Sequence, residues 1–137
     1  FYAHHDTDAS RHTVGTDALN TVLSSAEFGH VMTSDYVYDE TVTLTQVRTG
    51  DVDAGLEVGR RIRGAGYPSA IELLQSSSTL FDRAVSVHQT YADHELSFTD
   101  AMTVAMVDYH EIDGVLSFDD DFNGVVPRLV PDTLTFQ

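Results

Sequence analysis

The chain has 137 residues, with 7 basic and 22 acidic side chains and a formal net charge of −15. Every basic residue is Arg, none is Lys, and Asp outnumbers Glu sixteen to six. The missing Lys excludes P-loop enzymes, Schiff-base chemistry and receiver domains that rely on a Lys; the missing Cys excludes disulfides, thiolate zinc sites and Cys nucleophiles.

Length predicts one domain over 1–137, large enough to bury a core unaided. A hydrophobic content of 42% with seven Phe and six Tyr is that of a folded protein despite the charge. No apolar run approaches the ~20 residues of a membrane span, and no signal-peptide pattern is visible. These features lead to the expectation of a cytoplasmic protein with no membrane partner.

In chain order, Asp8–Ser10 offers cap residues, and Ala18, Leu19, Val22 and Leu23 follow at helical spacing, predicting a helix over about 10–25. His30-Val31-Met32-Thr33 reads as a short strand that feeds a helix over about 34–48, with Tyr36, Val37, Leu44 and Val47 as its buried stripe. Asp51 can cap a third helix through Ile62, ended by Gly64 and Gly66. Ala70–Leu74 reads as a strand, and Ser77 opens a helix to about Tyr91. Ser97 starts the next helix, with Phe98, Ala101, Met102, Ala105 and Met106 on one face. Gly114–Phe118 is a strand ending in three aspartates, and Val125–Val130 a short terminal strand interrupted by Pro127. Strands alternating with helices imply an α/β fold with a parallel sheet, whose first strand lies at or before Phe1. Ligands of such sheets sit at the carboxyl ends of the strands.

The charge normally argues against a nucleic-acid partner. Adaptation to molar salt is the other reading. At about 1 M salt the Debye length is only ~3 Å, so surface self-repulsion is screened. A Lys-free, Asp-rich chain resembles the proteins of salt-loving archaea, which leaves function open.

Three acidic positions stand out. Glu40 lies about two turns into the helix after the His30–Thr33 strand, Asp100 in the first turn of the helix after Ser97, and Asp119 just past the carboxyl end of Gly114–Phe118. Each has a plain alternative: a solvated face for Glu40, a capping box for Ser97-x-x-Asp100, a turn for Asp119–Asp121.

Together, Thr33-Ser34-Asp35-Tyr36-Val37-Tyr38-Asp39-Glu40-Thr41, Leu96-Ser97-Phe98-Thr99-Asp100 and Leu116-Ser117-Phe118-Asp119-Asp120-Asp121-Phe122 resemble the PIN domain of VapC-type ribonucleases. Phe1-Tyr2-Ala3, the Asp6-Thr7-Asp8 stretch and His12 resemble the end of that family's first strand and its following loop. The resemblance implies a three-layer α/β fold, a small central parallel sheet flanked by helices, with the first strand truncated at the N-terminus. It implies Glu40, Asp100 and Asp119 as active-site acids, Asp121 as an auxiliary metal ligand, and a further Asp just before Phe1. It also implies an Mg²⁺- or Mn²⁺-dependent endoribonuclease, the toxin of a toxin–antitoxin pair, with RNA as substrate, a cognate antitoxin and a homodimeric state. The chemistry fits the residue types. Hard divalent cations take oxygen ligands, and clustered carboxylates repel one another without a cation. Ser97 and Thr99 are candidates to orient a neighbouring carboxylate, or plain caps.

Other features of the sequence admit their own readings. Arg60, Arg61 and Arg63, beside Arg48, form either a phosphate-pairing patch or a charge-balanced helix end. Asp119-x-Asp121-x-Asn123-Gly124 matches the start of a calcium loop, but position twelve is Val130, where a bidentate Glu belongs. The seven His form no HExxH pattern. The non-enzymatic alternative is a catalytically inactive PIN-like module that binds RNA or protein.

Overall fold

The computed structural model describes residues 12–24, 29–64, 71–132 and 135–136. The expected first strand, Asp6, Asp8 and the Gly66 helix stop lie outside the described residues. The chain divides into two compact units, Phe1–Gln75 and Ser76–Gln137. No helix among the described residues is long and apolar enough to cross a membrane.

The first unit holds helix α1 (His12–Ser24), strand β1 (Val31–Ser34), helices α2 (Asp35–Thr49) and α3 (Val52–Ile62), and strand β2 (Ile71–Leu74). On α1, Ala18, Leu19 and Val22 are buried at the spacing the sequence predicts. Strands β1 and β2 pair in parallel, Val31 opposite Ile71 and Ser34 opposite Leu74. Ser34 ends β1 and also caps α2: its Oγ accepts from the Val37 backbone N–H at 3.1 Å. Strand and helix are therefore joined without a loop, which fixes the direction in which α2 leaves the sheet.

The buried stripe of α2 differs from the expected one. Val47 is 75% exposed, while Thr41 and Thr45 are buried. At 100° per residue Val47 lies about 200° round from Thr45, so the face that packs inward cannot include both. Thr45 tolerates its place because its hydroxyl donates to the Thr41 carbonyl at 2.8 Å. Helix α3 is capped by Asp51, whose Oδ1 accepts from Asp53 N–H at 2.9 Å. It packs on α2 through Gly55 and Gly59, four apart on one face, alongside fully buried Val58 and Ile62. A Cβ at Gly59 would meet the Tyr38 hydroxyl oxygen at 2.6 Å, so a larger residue there must displace the Tyr38 side chain.

The second unit holds α4 (Ser78–Thr90), α5 (Phe98–Tyr109), β3 (Val115–Leu116), β4 (Arg128–Val130) and β5 (Thr135–Phe136). One-turn 3₁₀ segments span Ala92–His94 and Asp120–Phe122. Ser77 caps α4 through an acceptor bond from Leu80 N–H at 3.2 Å. Helix α5 is buried over a wide arc, including Ala101, Met102, Val104, Ala105, Met106 and Val107. It is thus the central helix of this unit rather than an amphipathic surface helix.

Strand β3 pairs in parallel with β4, Val115 opposite Arg128 and Leu116 opposite Leu129. The expected Val125–Val130 strand begins only after Pro127, which has no N–H to offer a ladder. Strand β5, antiparallel to β4, has too few residues to show a period. Leu96, Val104 and Phe122 form a buried cluster with Val87, Tyr91, Val115, Val125 and Val126 packed against it. Phe122 follows the three aspartates directly, so core packing anchors the turn that carries them.

Candidate active site

The site is built on Ser117–Asn123, where β3 ends. Ser117 Oγ accepts from the Asp119 backbone N–H at 3.0 Å. Asp119 Oδ1 in turn accepts from the Asp121 N–H at 2.9 Å, which starts the 3₁₀ turn. The Asn123 N–H closes the turn on the Asp120 carbonyl at 2.9 Å. These local bonds bring one carboxylate oxygen from each of Asp119, Asp120 and Asp121 within 4.8 Å of one another. The negative charge of Asp119, ahead of burial and the charges of Asp120 and Glu95, pushes the Asp121 carboxyl above its ordinary pKa.

The donor set suits a hard divalent cation: three carboxylates, all oxygen, held closer together than isolated charges prefer. Asp119 and Asp121, both expected as ligands, belong to this cluster. Asp120 also belongs to it and was not singled out from the sequence; three consecutive acids entering a tight turn was the signal.

Asp100 and Glu40 are not members of that cluster. Asp100 completes a capping box: its backbone N–H donates to Ser97 Oγ at 3.1 Å, and its Oδ2 accepts from the Ser97 N–H at 3.1 Å. Its half-buried side chain thus starts α5 whatever else it does. Glu40 is exposed on the second turn of α2, beside buried Thr41. In the first unit a cleft of about 270 Å³ opens at the carboxyl end of the β1–β2 pair, lined by Asp35, Tyr38, Arg63, Leu73 and Gln75. The larger cleft of the second unit, about 920 Å³, lies between α4, α5 and 125–127 and includes none of the three aspartates.

The rival readings also meet the geometry. Arg60 forks onto Glu57 through Nε and Nη2, and Arg61 Nε donates to the same carboxylate at 3.0 Å. Their hydrogen bonds hold the Glu57 carboxyl below its ordinary pKa, the charge-balanced helix end. Asn123 Oδ1, which a calcium loop would aim at its ion, accepts from Arg128 Nε at 2.8 Å. The calcium alternative therefore loses a ligand as well as its twelfth position.

No protein-family model matches the sequence, and no curated protein matches it. Among solved structures, the chain is similar to the crystal structure of Mycobacterium tuberculosis VapC20, a Sarcin-Ricin loop cleaving toxin. The two share 26% identity over 91% of this chain and 90% of that one, with a TM-score of 0.76. The mixed α/β, PIN-like fold expected from the sequence is borne out.

Proposed function

We propose that this chain is a metal-dependent ribonuclease, the toxin of a VapC-type toxin–antitoxin pair. The observation that carries the reading is a structural likeness, over 91% of the chain, to an RNA-cleaving toxin, in a chain whose Asp119–Asp121 carboxylates converge just past a strand's carboxyl end. Asp119, Asp120 and Asp121 would hold the ion. Asp100 and Glu40 are proposed as further active-site acids, Glu40 on its motif alone. Mg²⁺ or Mn²⁺ is the proposed ion, which when bound activates water for attack on a phosphodiester and neutralises charge developing on the phosphate. The Asp119 side chain orients Asp121 through the backbone, and Ser117 orients Asp119. RNA, a cognate antitoxin and a second copy of the chain are the proposed partners.

The test is cleavage of a sarcin-ricin loop hairpin and of total RNA in molar KCl, with Mn²⁺ or Mg²⁺ and with EDTA. Metal-dependent cleavage that Asp119→Asn abolishes supports the reading. RNA bound but not cut by the parent would establish the inactive module instead.

A further inference from the structure

We infer that Arg128 is a positioning residue for the acidic loop: its guanidinium ties the loop's entrance to its exit and so holds Asp119, Asp120 and Asp121 in their convergent arrangement. The inference rests on the metal-dependent nuclease reading above.

Arg128 is 6% exposed. A charge that deep is costly unless its donors are satisfied, so a buried Arg on a short strand requires an explanation. A salt bridge is the usual one, yet among the described residues Arg128 forms none. Its partners are neutral: Nη1 donates to the Ser117 carbonyl at 2.9 Å and Nε to Asn123 Oδ1 at 2.8 Å. Ser117 stands two residues before Asp119, and Asn123 two residues after Asp121. The planar guanidinium fork is a rigid bridge of a kind Lys cannot make. It is itself fixed, because Arg128 opens β4 and pairs with Val115 on the strand that enters the loop.

The choice of partners is informative. Three aspartates lie in the loop that Arg128 spans, but no described cation forms a salt bridge with any of them. Arg128 spends its hydrogen bonds on the loop's two ends, Ser117 and Asn123, and not on the aspartate oxygens. Removing a partner that orients a metal-ligating group typically lowers metal affinity 10–100-fold.

The experiment uses the full chain, with Asn123→Ala and Arg128→Met beside the parent. Free Mn²⁺ is followed by electron paramagnetic resonance during titration, and RNA cleavage is measured against Mn²⁺ concentration. Asn123 is exposed, so Asn123→Ala removes half of the bridge without touching the core and keeps the test valid should Arg128→Met fail to fold. The half-saturating Mn²⁺ concentration is expected to rise about 3- to 10-fold in Asn123→Ala and more than 10-fold in Arg128→Met. In Asn123→Ala the cleavage lost at low Mn²⁺ should be recovered progressively as Mn²⁺ is raised. Binding curves that superimpose on the parent's, even with a lowered melting temperature, would reduce Arg128 to a purely structural part and overturn the inference. If the parent neither binds Mn²⁺ nor cleaves RNA, the nuclease reading falls and takes this inference with it.

Discussion

The hydrogen bond from the Asp121 backbone N–H to Asp119 Oδ1, 2.9 Å long, shapes the acidic turn and sets two carboxylates against each other. The charge of Asp119 in consequence makes Asp121 harder to ionise than an ordinary aspartate. A folded-state pKa raised above the unfolded value, about 3.9, means that the folded chain binds the proton better. Stability should therefore rise as pH falls through the folded pKa, and level off below the unfolded one. Thermal melts in EDTA between pH 3.5 and 7 test this against Asp121→Asn, which has no such proton to bind. The variant should be the more stable at neutral pH, and its advantage should shrink as the pH falls through that window. A constant difference across the range would contradict the assignment.

At Gly59 the α3 backbone lies under the Tyr38 side chain of α2. An added Cβ would lie 2.6 Å from the Tyr38 hydroxyl oxygen and 3.2 Å from Val42 Cγ2. Gly59→Ala gains about 0.5–1 kcal/mol of helix propensity but should lose more, about 1–3 kcal/mol, to overpacking. Tyr38→Phe removes the nearest atom. A double-mutant cycle by urea denaturation should show the pair costing less than the sum of the single changes. Strict additivity would place the strain elsewhere.

Local signals were legible where a side chain closes a bond within a few residues. Ser77, Asp51 and the Ser97-x-x-Asp100 box all start the helices they suggest, because a cap needs only its own first turn. The ordered acids also led to the PIN-like fold. What failed was facing and distance. Val47 looked like core because it is apolar, but Thr41 and Thr45 set the inward face of α2. Arg128 carried no signal of its function, since its acceptors are a backbone carbonyl and an amide eleven and five residues away. A charged residue inside the apolar Val125–Val130 run was the only hint.

Charge is the next lever. A chain carrying −15 should be destabilised by its own surface at 0.1 M salt, where the Debye length is ~10 Å, and relieved at 1 M, where it is ~3 Å. The melting temperature should climb by several degrees between 0.1 and 2 M KCl, at about 3–6 °C per kcal/mol for a chain this long. Chloride is the anion to use, since sulfate strengthens apolar burial independently. A flat or falling melting temperature over that range would detach the acidic surface from salt adaptation.

Asp100 separates structure from chemistry. Its carboxylate closes the capping box on the Ser97 N–H, so Asp100→Ala should cost about 0.3–1.5 kcal/mol of stability even if the residue has no catalytic part. Asp100→Asn keeps an acceptor oxygen and the same shape while removing the charge, so its stability should stay within about 0.5 kcal/mol of the parent's. If Asp100 is also an active-site acid, Asp100→Asn should still lower metal-dependent RNA cleavage by at least tenfold. Melting curves and cleavage rates from the same preparations decide it. A stable Asp100→Asn that cuts RNA at the parent's rate would make Asp100 a helix cap and nothing more, leaving Asp119–Asp121 and Glu40 as the proposed acids.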